Sequence, residues 1–162
     1  RFVMTIEEAA GLVIESMAHA KGGEVFITKM PVLRISDLAQ TLIERVGPLY
    51  GRDPAQIETV YIGGRPGEKL WEELSTDEEK NRILEGDRFL VVMPAISSED
   101  SRERYVYENI DLKRASIVYH SDREEQMDRA AIDNFISRPG VLPDDVCALL
   151  EQNRQTPFAA AS

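Results

Sequence analysis

The sequence predicts an α/β chain, a small, partly parallel sheet flanked by about four to five helices. Three observations predict it. Short apolar, β-branched runs recur at residues 25–27, 60–62 and 88–93. Between them, apolar residues return at helical spacing behind capping residues. Gly and Pro cluster where one kind of segment gives way to the other, at residues 22–23, 47–48, 63–67 and 139–140.

In chain order, Phe2-Val3-Met4 is a short extended run. Thr5 and Glu8 then match a capping box, and Ile6, Ala9, Ala10, Val13 and Met17 give the apolar stripe of a helix that Lys21-Gly22-Gly23 stops. Val25-Phe26-Ile27 reads as a buried strand, and strand–helix–strand order suggests parallel pairing across a helix. After extended Val32-Leu33, Ser36 is the expected N-cap of a helix whose stripe is Leu38, Ala39, Leu42, Ile43 and Val46, ended by Gly47-Pro48. Ile57, Val60, Tyr61 and Ile62 read as a buried strand, followed by a tight loop and a short helix carrying Leu70, Trp71 and Leu74. Residues 75–79 begin an acidic helix closed by Gly86, and Arg88 to Met93 is the strongest strand signal, ended by Pro94. Residues 97–104 read as a polar linker that includes Glu99-Asp100, and residues 105–118 as extended. Ser121 is a further N-cap, with Met127, Ala130, Ala131 and Phe135 as the stripe. Pro143-Asp144-Asp145 opens the last helix, with Val146, Leu149 and Leu150 toward the core and frayed residues from Gln155 onward. The expected organisation is an α/β lobe over residues 1–96, a polar or extended linker over 97–118 and a helical segment over 119–162.

Composition narrows the function. The apolar fraction of 43% supports a core, so wholesale disorder is excluded. Nineteen Lys and Arg against 29 Asp and Glu leave a formal charge of −10, with no basic stripe to neutralise a nucleic-acid backbone. Cys147 is the single cysteine, so no intramolecular disulfide forms, which fits a reducing cytoplasm. No apolar run reaches the roughly 18–20 residues of a membrane span. The chain opens at Arg1 inside an apparent strand with no initiator Met, which reads as a fragment. His19 and His120 are about a hundred residues apart and no ligand spacing suggests a metal. Cys147, flanked by Val146, Ala148 and Leu149, reads as a core cysteine.

The chemistry concentrates in Ile62-Gly63-Gly64-Arg65-Pro66-Gly67-Glu68-Lys69-Leu70. Arg65 can fork two donors onto a phosphate, Glu68 can accept from paired sugar hydroxyls, and the glycines admit a ligand to the backbone. From spacing alone, a solvated surface turn accounts for the same residues equally well.

Arg-Pro-Gly-Glu-Lys-Leu after a strand ending in Gly-Gly resembles the nucleotide-sugar-binding loop of the bacterial polysaccharide-biosynthesis 4,6-dehydratases and epimerases. Those enzymes act on UDP-activated amino sugars and belong to the extended short-chain dehydrogenase/reductase superfamily. The resemblance implies that Arg65 contacts the diphosphate and Glu68 the uridine ribose. Arg-Phe-Val-Met-Thr at the start is similar to the family segment that sets an arginine against the phosphates, which would make Arg1 a second forked donor. Trp71 stands where many members carry another aromatic or a His. Gly23-Glu24-Val25-Phe26-Ile27, Ile35-Ser36-Asp37-Leu38-Ala39 and Tyr119-His120-Ser121 also resemble family segments, in order, with residues 97–116 poorly covered.

The superfamily holds NAD(P) at a Gly-rich turn after its first strand and works with a Tyr-x-x-x-Lys pair. None of Tyr50, Tyr61, Tyr105, Tyr107 or Tyr119 has a lysine four residues on, and Gly63, Gly64 and Gly67 do not spell the dinucleotide fingerprint. The resemblance therefore implies the C-terminal, substrate-binding lobe. Substrate-binding residues would be Arg1, Arg65 and Glu68, with no catalytic or metal-binding residue. No cofactor is expected in this chain, and NAD or NADP in the parent enzyme. Expected partners are a UDP-sugar, the missing Rossmann half and, as a homo-oligomer, a second copy of the chain. A non-catalytic interaction module, with Arg65 and Glu68 as rim charges, is the contrasting expectation.

Overall fold

In a computed structural model, residues 1–95, 105–107, 110–115 and 117–155 are described. The expected linker at 97–104, with Glu99-Asp100, and the frayed end beyond Gln155 lie outside them. The chain divides into two compact units, one of residues 2–31 and 71–125, the other of residues 1, 32–70 and 126–162.

The first of these units holds the sheet. Helix α1 (Ile6–His19) starts as its sequence requires, with Thr5 Oγ1 accepting from the Glu8 N–H at 3.1 Å and Glu8 Oε2 accepting from the Thr5 N–H at 2.8 Å. Gly22 and Gly23, both at positive φ, carry the chain away from its end. The stripe expected to face a core faces water instead, with Ile6, Val13 and Met17 at 83%, 58% and 76% exposure.

Strands β1 (Val25–Thr28), β2 (Ile83–Glu85), β3 (Phe89–Val92) and β4 (Lys113–Ala115) form one sheet in the order β1-β3-β2-β4. Each ladder is antiparallel, with Val25 opposite Val92, Ile83 opposite Val92 and Ile83 opposite Ala115. The expected partly parallel pairing is therefore not what these strands adopt. The physical reason lies in residues 75–86, read from sequence as one acidic helix. Glu79 Oε2 accepts from the Thr76 N–H at 2.9 Å, a 3-10 helix follows at Lys80–Arg82, and β2 then begins. A tight turn at Asp87-Arg88, closed by the Gly86 N–H to Phe89 O bond of 3.0 Å, joins β2 to β3. So short a connection permits only antiparallel strands. A side chain at Gly86 would begin 2.8 Å from Leu112 Cδ2, so the turn leaves no room for one.

Strand β3 is buried along its whole length. Ile83, Leu90, Val92 and Tyr119 form this unit's core, with Phe2, Ile27, Leu74 and Ala115 packed against them. Phe2 stacks on Tyr119 at 5.0 Å between ring centroids.

The other unit is helical. Helix α2 (Ile35–Val46) packs on α3 (Arg129–Ile136) and α4 (Asp144–Gln155), burying Ile132, Phe135, Ile136, Val146 and Leu150. Ser36 is not the cap of α2. Arg34 occupies that position without a side-chain bond, and Ser36 Oγ turns to Asp37 Oδ1 instead. The third helix starts later than expected, because Asp128 Oδ1 accepts from the Ala131 N–H at 2.7 Å, while residues 121–123 form a turn. Ser121 is spent elsewhere, its hydroxyl accepting from the Glu72 N–H at 2.8 Å. In α4, Leu149 is 38% exposed where a core position was expected.

Residues 57–62 do not form the buried strand that their composition suggests. Val60, Tyr61 and Ile62 are 71%, 82% and 79% exposed and join no ladder of the described residues. β propensity describes fit to a half-buried pleated surface, and no neighbouring strand supplies one here. The short helix expected at Leu70 to Leu74 is likewise absent. Leu70 is 88% exposed, and Glu73 instead bridges His120 in antiparallel fashion.

Candidate functional site

The Gly-rich segment becomes a turn for reasons written in four residues. Pro66 presets its own φ, Gly67 takes φ 85°, and the Glu68 N–H reaches back to Arg65 O at 3.0 Å. Proline then glycine at the two central positions, with positive φ at the second, is the signature of a type II turn. The Glu68 side chain closes the same turn from its other side, Oε2 accepting from the Arg65 N–H at 3.0 Å.

Arg1 anchors the far end. Its backbone N donates to Leu33 O at 2.7 Å and its carbonyl accepts from the Leu33 N–H at 2.9 Å, and Leu33 is fully buried. From that base, Arg1 Nη2 donates to Lys69 O at 2.8 Å and lies 3.5 Å from Glu68 Oε1. With side chains 26% and 48% exposed, this ion pair is worth about 0.5 kcal/mol, so its role is geometric rather than stabilising.

All three sequence-chosen residues thus meet at one turn, Arg1 and Glu68 through their side chains and Arg65 through its backbone. The Arg65 guanidinium is exposed and has no partner among the described residues. Gly63, Gly64 and Gly67 have open space where a Cβ would stand. Two guanidinium groups against one carboxylate give the turn a local excess of positive charge within an acidic chain. A forked cation, a carboxylate oxygen and unencumbered backbone suit a phosphorylated, hydroxyl-bearing ligand.

In the sheet unit, the Tyr119-His120-Ser121 segment has a structural task. The Leu74 N–H donates to Tyr119 O and the Ser121 N–H to Glu72 O, both at 2.9 Å, flanking the Glu73–His120 bridge. Glu72 Oε2 accepts from the Phe2 N–H at 2.9 Å. Sequence reading missed Glu72, since its partners lie 70 and 49 residues away and nothing local marks it. Burial first, and the charge of Glu124 second, hold the Tyr119 hydroxyl above the usual tyrosine range.

Other candidates are quieter. Cys147 is half-buried with Sγ 3.6 Å from Leu142 O. Among the described residues no group of His, Cys, Asp and Glu could hold a metal ion, and no helix is long and apolar enough to cross a membrane.

Residues 1–94, more than half of the chain, match the family described as polysaccharide biosynthesis protein. The chain belongs to this family. An uncharacterized membrane protein of Methanocaldococcus jannaschii is 44% identical over 113 residues, which are 70% of this chain and 34% of that protein. The UDP-N-acetylglucosamine 4,6-dehydratase (inverting) of Campylobacter jejuni is 28% identical over 100 residues, 62% of this chain and 27% of the enzyme. The X-ray structure of Pen from Bacillus thuringiensis superposes with a TM-score of 0.73 at 35% identity, covering 88% of this chain and 39% of that one. The chain thus spans 34% and 27% of the length of these two relatives. Family and structural likeness agree with the sequence resemblance to the short-chain dehydrogenase/reductase-type dehydratases and epimerases of polysaccharide biosynthesis.

Proposed function

We propose that this chain is the substrate-holding part of a cytoplasmic, NAD(P)-dependent nucleotide-sugar dehydratase or epimerase of surface polysaccharide biosynthesis, and that its ligand is a UDP-sugar. One observation carries the reading: the Arg65–Glu68 turn, braced by Arg1, leaves the Arg65 side chain exposed and without a partner among the described residues, on the same turn as the Glu68 carboxylate. Arg65 takes the diphosphate, with Arg1 as the second donor, and Glu68 accepts from the ribose hydroxyls. Holding the nucleotide end fixes where the pyranose can reach, which is catalysis by orientation.

In such enzymes a nicotinamide cofactor supplies the hydride chemistry. The glycine turn of this chain does not fit that group. Gly63 to Gly67 opens no helix, so no row of helical N–H groups faces a pyrophosphate. On this reading the cofactor belongs to a Rossmann half outside this chain, and no residue here breaks or makes a bond. The exposed Ile6, Val13 and Met17 on α1 favour a second reading, a module that binds a partner protein or another copy of itself.

Calorimetric titration with UDP and UDP-N-acetylglucosamine tests the proposal. Binding to the unmodified chain that weakens about tenfold in Glu68→Gln is the expected result, since a charged acceptor becomes neutral. A folded chain that binds neither ligand would leave the interaction module as the better account.

A further inference from the structure

Within the sheet unit, a cavity of about 540 Å³ opens where the β2–β3 ladder ends. Leu84 and Met93, both half-buried, give it an apolar floor, and Asn81, Arg82, Tyr105 and Arg114 give it a polar wall. The ladders bring these residues together. Arg114 stands opposite Leu84 across β2 and β4. Pairing continues one step past β2, where the Met93 N–H donates to Arg82 O at 2.9 Å. Arg82 Nη1 returns a bond to Met93 O, which fixes that guanidinium against the wall and leaves the rest of its fork for another acceptor. Tyr105 is fixed as well, its hydroxyl donating to Gly22 O at 2.8 Å. Arg114 differs from both: its side chain is exposed and has no partner among the described residues.

The charge of this cavity runs against that of the chain. Asp and Glu outnumber Lys and Arg by 29 to 19, yet no carboxylate is among the described residues that line it. Two guanidinium groups in a concave, partly apolar site with no counter-charge raise the local concentration of anions. The volume is that of a small-molecule site, which is roughly 300–1,000 Å³. We propose that the cavity binds a small organic phosphate, its phosphoryl group on Arg82 and Arg114 and its apolar body over Leu84 and Met93. A phosphate monoester brings close to two negative charges and three acceptor oxygens, enough to engage two guanidinium groups. A carboxylate brings one charge and two oxygens, and a single fork satisfies it. The Asn81 amide adds a neutral donor to the same wall. The cavity uses no residue of the Arg65 turn and does not rest on the UDP-sugar reading.

Phenyl phosphate, benzoate and inorganic phosphate are the probes, titrated into the unmodified chain and followed by amide chemical shifts and by calorimetry. The expected result is that phenyl phosphate moves the amides of Leu84, Met93 and Arg114 and binds about tenfold more tightly than benzoate. Inorganic phosphate moves the same amides but binds more weakly, because it brings nothing to the apolar floor. Arg114→Gln changes an exposed, unpartnered side chain, so the melting point holds while affinity for phenyl phosphate falls about tenfold. Arg65→Ala leaves that affinity unchanged. Binding lost in Arg65→Ala and kept in Arg114→Gln would move the ligand to the turn and overturn the cavity. Benzoate bound as tightly as phenyl phosphate overturns the phosphate assignment. A folded chain in which none of the three probes moves Leu84, Met93 or Arg114 overturns the site itself.

Discussion

Replacing Arg65 by alanine separates fold from function at the turn. The turn uses the backbone of Arg65 at both ends, its carbonyl bound to the Glu68 N–H and its N–H to Glu68 Oε2, each at 3.0 Å. Alanine keeps both groups. The guanidinium is exposed and contributes no bond among the described residues, so stability should change by less than about 0.5 kcal/mol. Against a phosphate, a fork makes two charge-assisted bonds of about 1.5–3 kcal/mol each. Ordering a free arginine side chain costs up to about 2 kcal/mol. A net loss near 2 kcal/mol remains, which is about 30-fold in affinity for UDP. Arg65→Lys should recover part of this, because an ammonium offers charge without the fork. Calorimetry measures the affinity and thermal unfolding the stability. Parent affinity for UDP in Arg65→Ala would refute the phosphate role. A melting point several degrees lower would show that the side chain serves the fold instead.

Three further outcomes follow from the same structure. Leu90→Ala, at a fully buried position in the central strand, should cost about 3 kcal/mol in urea unfolding, whereas Ile62→Ala, 79% exposed, should change stability by less than about 0.5 kcal/mol. A large cost at Ile62 would mean that residues 57–62 are a buried strand after all. Thr5→Ala removes the acceptor for the Glu8 N–H and should cost about 1 kcal/mol, with Thr5→Ser restoring most of it; equal stability of both variants would deny the cap its role. Burial first, then the Glu24 carboxylate, raise the Tyr107 hydroxyl above the ordinary tyrosine pKa of 10.0. The folded state thus prefers the neutral phenol. The resulting stability is fully present below pH 10.0 and fades as pH rises through the higher folded value. Urea midpoints taken across alkaline pH should fall less steeply in Tyr107→Phe than in the unmodified chain, and superimposable profiles would contradict the shift.

Local chemistry was legible wherever partners lie within a few residues. Thr5 with Glu8 needs only the spacing of a capping box, and Pro66-Gly67 needs only its two backbone preferences to make a turn. For the same reason Gly47-Pro48 ends α2 where expected. Ser36 and Ser121 show the limit of that logic. Each is a good cap by residue type, but the hydroxyl of Ser121 meets Glu72, 49 residues away, and a donor at that distance leaves no trace in the surrounding sequence.

By itself, then, the sequence determined that the chain mixes helices and strands, that Arg65, Pro66, Gly67 and Glu68 form a tight turn, and which family the turn resembles. Those are properties of short windows, set by φ preference, capping and side-chain period. Only the tertiary structure decided that the sheet is antiparallel, that residues 83–85 are a strand and that residues 57–62 stand in water. It alone brought Arg1 to Lys69 and Glu68, and Trp71 onto His120. Strand direction and burial depend on which neighbour a segment finds across dozens of residues. An apolar alternating run states only what would suit it, and the packed chain determines whether a neighbour is there.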